Sequence, residues 1–195
     1  MEGFKFDPAK LEHLNDPQRL KDIPPDLIWD QLGLKFAETL IDLGAGTGFF
    51  SRRFAAMPGI KRIYALDISD AMIEYMHQKV VPESPLIVPV QMEESAIPLP
   101  DSIADVLVMI NLHHEFHDPH ALLRECARVM KPKGKMAIVD WKKEDTNHGP
   151  PLDKRYEVEE VIAQLESVSF RSTRSYLKLP DHFLVLAENA ENFGK

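Results

Sequence analysis

Asp42-Leu43-Gly44-Ala45-Gly46-Thr47-Gly48-Phe49-Phe50 is the stretch on which the reading of this chain turns. A short β run, Thr39-Leu40-Ile41-Asp42-Leu43, leads into it, and a helix predicted over 49–57 leaves it, stopped by Pro58-Gly59. Glycines have no Cβ, so they let the chain turn sharply and let a ligand approach the backbone. A dinucleotide-binding turn needs G-x-G-x-x-G. Counted from Gly44, the third glycine of that pattern falls on Phe49. The spacing is G-x-G-x-G instead, with Asp42 two residues ahead. A carboxylate there repels a pyrophosphate and attracts a cationic ligand.

Working outward, strand and helix signals alternate. Strands are predicted at 62–67, 86–91, 104–110 and 135–141, and helices from 69 to about 79, over 119–129 and over 157–167. Two last strands, near 171–179 and 182–188, flank the turn signal Pro180-Asp181. The run 104–110 is apolar and reads as buried on both faces. Alternation of this kind implies parallel pairing with right-handed crossovers, and the closing pair is a hairpin. The expected fold is α/β: a Rossmann-like, seven-stranded, mostly parallel sheet with helices on both faces and a C-terminal antiparallel hairpin. Residues 1–38 read as a helical lead-in, with Pro24-Pro25-Asp26 opening a helix that Gly33 stops. Residues 39–195 read as the ligand-binding domain, the whole forming one domain. Ligands on such sheets lie at the carboxyl ends of the strands.

Composition excludes several classes. The 195 residues carry a net charge of -8, and their basic clusters are short, so no nucleic-acid partner is expected. No apolar run approaches the roughly 18 residues of a membrane span. Met1 to Pro8 is polar and lacks a signal-peptide core, which places the chain in the cytoplasm. A single cysteine, Cys126, leaves no intrachain disulfide and reads as a buried small residue.

The residues at strand ends suggest what is bound. Asp42 can hold the amino group of a methionine moiety, with loop N–H groups taking its uncharged or carboxylate parts. Asp67 ends the second strand, where a carboxylate can accept both hydroxyls of a ribose. Ile68 and Met72 can then pack on an adenine face. Alternatively, the glycines form a structural turn and Asp67 is a solvated strand end.

On these stretches, with Gln91 to Asp101, Ala104 to His114 and Leu122 to Asp140, the chain resembles the class I S-adenosylmethionine-dependent methyltransferases. It is most similar to the type-11 group that includes ubiquinone and menaquinone C-methyltransferases. The resemblance covers roughly residues 35 to 145. It implies S-adenosylmethionine as cofactor and places Gly44, Ala45 and Gly46 beside it. Relatives carry an acid and a small residue ahead of Pro-Phe-Pro-Asp after the third strand; here the stretch is Glu93-Glu94-Ser95-Ala96-Ile97-Pro98-Leu99-Pro100-Asp101. By resemblance Glu93 receives the adenine amino group, with Glu94 the alternative. Asn111 and Leu112, after the fourth strand, line the methionine part.

His113, His114, His117 and His120 crowd together, but Asp118-Pro119 breaks the spacing that H-E-x-x-H requires, so no metal is expected. His113 or His114 is a candidate general base, since histidine titrates near neutrality; either can equally be a wall residue. The stretch from Trp141 to Pro151 reads as a lid on the acceptor side, and Arg155 as an anion-binding or surface-capping residue. The chain has no room for a separate substrate domain, so the acceptor is expected to be a small molecule. The expected function is methyl transfer by in-line displacement. The alternatives are a non-catalytic S-adenosylmethionine-binding or regulatory module and a nucleotide-dependent oxidoreductase.

Overall fold

The computed structural model describes residues 8–190 apart from 117 and 147. The polar N-terminus and His117 of the histidine cluster therefore lie outside the described residues. Seven strands, β1 (Thr39–Leu43), β2 (Arg62–Asp67), β3 (Ile87–Gln91), β4 (Ala104–Ile110), β5 (Met130–Trp141), β6 (Phe170–Tyr176) and β7 (His182–Asn189), form one sheet in the order β3-β2-β1-β4-β5-β7-β6. The first five pair in parallel. β7 runs antiparallel to both β5 and β6, so the hairpin predicted at the C-terminus is present. The chain reverses its direction of travel across the sheet between β1 and β4, and a crevice opens there at their carboxyl ends.

Alternating residues of the central strands feed two cores. Leu107 and Met109 of β4 join one core with Ile41, Leu43 and Ile138, covered by α6 (Pro119–Val129) and α7 (Val158–Val168). Val106 and Val108 join the other with Leu40 and Val139, covered by α3 (Pro25–Leu32), α4 (Phe49–Phe54) and α5 (Asp70–Lys79). Two short helices, α1 (Pro8–Leu14) and α2 (Arg19–Asp22), precede α3. Proline in the first turn and Gly33 at φ 63° bound α3, as its sequence predicts. Glu157 and Glu160 cap α7 reciprocally. Among the described residues no helix is long and apolar enough to cross a membrane.

Several boundaries differ from the sequence expectation, that of β5 most. Lys131-Pro132-Lys133-Gly134 reads as a turn between helix and strand, yet it lies inside β5. Met130 pairs with Ala104 and Lys135 with Val106, so the intervening residues bulge out of the ladder. Lys133 takes φ 63°, and a Cβ on Gly134 would stand 2.8 Å from the Lys131 carbonyl oxygen. α4 is also shorter than its apolar pattern suggests, because its last turn loosens into i→i+3 bonds at Ala56 and Met57.

The bulge is held from the far end of the chain. Asn189 is 2% exposed, and its Nδ2 donates to the carbonyl oxygens of Ala127, Met130 and Lys131 at 3.0, 3.1 and 3.3 Å. Asn189→Ala leaves these buried acceptors without that donor and should lower unfolding free energy by about 2 kcal/mol. Urea denaturation checks this; a loss below about 0.5 kcal/mol, the usual surface value, contradicts it.

Candidate active site

The loop after β1 is built on three glycines with positive φ: 72° at Gly44, 54° at Gly46 and 73° at Gly48. A Cβ at Gly44 would lie 2.5 Å from Leu112 Cδ2, so absence of a side chain lets the two segments approach. At Gly46 a Cβ would meet only Leu14 at ordinary contact distance, and the backbone angle alone demands glycine there. The loop folds back onto β2. Gly44 and Ala45 donate to the Leu66 carbonyl at 2.9 and 2.8 Å, and Gly46 donates to Asp67 Oδ2 at 2.8 Å. These N–H groups are thus spent within the protein. At Gly44 and Gly46 the glycines thus supply shape, their N–H groups being already paired.

Asp42 is 2% exposed, and its Oδ2 accepts the Ser51 hydroxyl at 2.5 Å. Burial pushes its carboxyl up to about 6; Ser51 opposes this, Asp67 adds to it, and Arg19 opposes it. Asp67 also accepts the Ser69 N–H on Oδ1 at 2.9 Å. Each of its oxygens has a second lone pair available.

Two cavities meet over this loop. The larger, about 420 Å³, is lined by Asp42, Ala45, Arg19, His114 and Trp141 among others. The smaller, about 320 Å³, is lined by Asp67, Ile68, Met72, Met92, Glu94 and Leu112 among others. Leu14, Gly44, Gly46, Asn111 and Glu115 line both, so the two are halves of one cleft. Ile68 is 62% exposed despite its apolar side chain, and it stands at the smaller cavity's edge. Asn111 is held at φ 53°, and its buried Oδ1 finds no hydrogen-bond partner among the described residues. A buried acceptor without a partner is rare in a folded protein, and this one belongs to a residue that lines both halves of the cleft.

Of the residues singled out in the sequence, the cleft gathers Asp42, Gly44, Ala45, Gly46, Asp67, Ile68, Met72, Glu94, Asn111 and Leu112. Glu93 does not line it; its backbone bridges to Ala96 instead. Between the two glutamates, geometry thus brings Glu94 to the cleft. The histidines also separate. His113 is 1% exposed, with Nε2 at 2.7 Å from Gln164 Oε1 and its ring against Tyr156, and it lines neither cavity. His114 lines the larger one. Among the described residues no three histidine, cysteine, aspartate or glutamate side chains converge as metal ligands. Cys126 is fully buried in α6, and burial raises its thiol far above its usual range.

Arg155 spends its donors within the protein. It is 4% exposed, and its guanidinium donates to the carbonyl oxygens of Pro150, Lys142, Glu144 and His148 and to the Thr146 hydroxyl. It also lies 5.4 Å from the centroid of the Trp141 ring. Arg155 therefore staples the loop after β5, which presents Trp141, Gly149 and Pro150 to the larger cavity. Sequence reasoning missed Met92, Asp140 and Arg19. Met92 and Asp140 sit at or just beyond strand carboxyl ends, a positional signal that residue type alone did not flag. Arg19 comes from a helix whose docking against Phe50, at 4.9 Å from the ring centroid, has no local sequence mark.

Comparison with known proteins gives this cleft a context. A methyltransferase domain family matches residues 41–138. The ubiquinone/menaquinone biosynthesis C-methyltransferase UbiE of Enterobacter sp. strain 638 is 28% identical over 131 residues, covering 66% of this chain and 51% of UbiE. The chain spans about half the length of the UbiE relatives it matches. YdaC of Bacillus subtilis strain 168, an uncharacterised methyltransferase, is 23% identical over 72% of this chain and 76% of its own length. The crystal structure of a SAM-dependent methyltransferase from Aquifex aeolicus superposes with a TM-score of 0.87 at 36% identity, over 95% of this chain and all 100% of the other. Its likeness extends to the Rossmann-like sheet and beyond the matched domain at both ends. With a family match over half its length and a full-length structural relative, the chain belongs to the S-adenosylmethionine-dependent methyltransferase family.

Proposed function

We propose that this protein binds S-adenosylmethionine across the carboxyl ends of β1, β2 and β4 and transfers its methyl group to a small-molecule acceptor. The observation that carries this reading is the divided cleft, with Asp42 in one half, Asp67 in the other, and Gly44, Gly46 and Asn111 common to both. The residues fit the cofactor. Asp67 takes the ribose hydroxyls on its spare lone pairs, and Ile68, Met72, Met92 and Leu112 pack the adenine. Glu94 faces the adenine amino group. Asp42 receives the methionine ammonium, with Asn111 beside it in the same cavity. Arg19, in the same cavity, supplies the cation for the carboxylate in place of the spent loop N–H groups.

When bound, S-adenosylmethionine supplies a methyl group already activated on a sulfonium. The protein's work is then alignment and exclusion of water. Leu14 and Arg19 of the segment 1–38 cover the cleft from one side, and the stapled loop after β5 covers it from the other. The domain proper is 39–195. Its acidic balance favours a small acceptor over nucleic acid. Incubation with methyl-labelled S-adenosylmethionine and a small-molecule extract tests the reading. Label leaving the cofactor for an extract component supports it; label retained wholly on the cofactor identifies a binding module instead.

Two binding predictions follow from the acids. Asp67→Ala should weaken S-adenosylhomocysteine binding about 10- to 100-fold, the worth of charge-assisted hydrogen bonds. Unchanged affinity by calorimetry removes Asp67 from the site. The second concerns pH. Burial pushes the Asp42 carboxyl up to about 6, and a cationic ammonium favours its ionised form. Affinity should therefore fall with acidification, by up to about tenfold for each pH unit below that value, and Asp42→Asn should flatten the dependence. Titrations between pH 5 and about 7.5 that show no slope in the unaltered protein contradict this placement.

A further inference from the structure

His114, in the wall of the larger cavity, forms a carboxylate–imidazole pair with Asp140 to which the cofactor reading assigns no contact. Asp140 is 3% exposed at the carboxyl end of β5, and its Oδ1 lies 2.7 Å from His114 Nδ1. The carboxylate is fixed by two further donors: the His114 backbone N–H reaches Oδ2 at 3.0 Å, and the Trp141 N–H reaches Oδ1 at 2.8 Å. A carboxylate accepts only, so the proton of this contact sits on Nδ1. In the neutral ring Nε2 then keeps its lone pair, 3.9 Å from the Glu115 carboxylate. The ring is part of the wall between the larger cavity and a groove of about 330 Å³ that runs past Lys143 and Tyr156.

The neighbouring histidine sharpens the contrast. His113 spends Nε2 on Gln164, is sealed beneath Tyr156, and burial lowers its affinity for a proton. His114 has its orienting carboxylate behind it and the cavity before it. A base held by a second group in one tautomer is the arrangement general-base catalysis requires.

We infer that His114 Nε2 is the general base of methyl transfer, that Asp140 is its positioning residue, and that the acceptor atom carries a hydrogen. This rests on the cleft being a methyl-transfer site. The acceptor class is a hydroxyl, an amine, a thiol or an activated C–H, written X–H. A bond forms between X and the methyl carbon as the carbon–sulfur bond breaks, its electron pair returning to sulfur. The proton of X–H passes to Nε2, and from the imidazolium to water in the adjoining groove. Asp140 and Glu115 both face that imidazolium and stabilise it. A thioether or a tertiary amine reacts through a lone pair alone and has no use for this base.

Long-range proton–nitrogen correlation spectra of the full chain, ¹⁵N-labelled at histidine and saturated with S-adenosylhomocysteine, test the inference. The expected His114 signature is a protonated Nδ1 and a bare Nε2, moving to the Nε2–H form in Asp140→Ala. A protonated Nε2 in the unaltered protein at neutral pH overturns the proposal, as does a tautomer indifferent to Asp140→Ala. Calorimetry on His114→Gln should show S-adenosylhomocysteine affinity within about threefold of the unaltered protein, while labelled-methyl transfer to the extract component found above falls at least a hundredfold, roughly the worth of a general base. Unimpaired transfer in that variant overturns the role of His114. Failure of the unaltered protein to bind S-adenosylhomocysteine at all overturns the cofactor reading instead, so the two failures are distinct.

Discussion

The hydrogen bonds that tie the glycine loop to the end of β2 are the constraint from which the site follows. Leu66 offers one carbonyl to two successive loop N–H groups, and Asp67 takes the third. β1 and β2 are parallel neighbours in register from Thr39 and Arg62 to Leu43 and Leu66, so their carboxyl ends lie side by side. The loop can fold across to β2 only because Gly44 and Gly46 adopt left-handed angles that a Cβ disfavours. Once it does, Asp42 and Asp67 occupy opposite halves of one cleft, with the side-chain-free Gly44 and Gly46 common to both.

The charges of that cleft are arranged by burial. Asp42 is sealed at the end of β1, so its ionisation is costly until a cation arrives, and the Ser51 hydroxyl offsets only part of that cost. Arg19 lies across from it, partly desolvated over Phe49 and Phe50, and burial lowers its own hold on a proton. An amino acid moiety, with one charge of each sign, is suited to a site that presents one of each. On the far side, Arg155 turns five acceptors of a polar loop inward and fixes Trp141 as a wall.

Much of this was legible in the sequence because it depends on local pattern. The alternation of strand and helix signals gives the sheet, and the acid ahead of G-x-G-x-G marks a residue that lines the cleft. What stayed hidden depends on contacts between distant segments. The order β5-β7-β6 is invisible to periodicity, since it inserts the last strand between two earlier ones. Lys131 to Gly134 has turn composition, but Asn189, far along the chain, holds it within a strand. Glu93 and Glu94 are equivalent as letters, and only the bridge to Ala96 turns them apart. His113 and His114 likewise differ in nothing but the partner each meets, Gln164 from α7 or Asp140 from β5.

A crystal structure with S-adenosylhomocysteine bound tests the central claim most directly. The account predicts continuous ligand density through both cavities, the ribose hydroxyls on the Asp67 carboxylate and the amino end between Asp42 and Asn111. A ligand lying elsewhere on the protein, or one whose ribose faces away from Asp67, contradicts it.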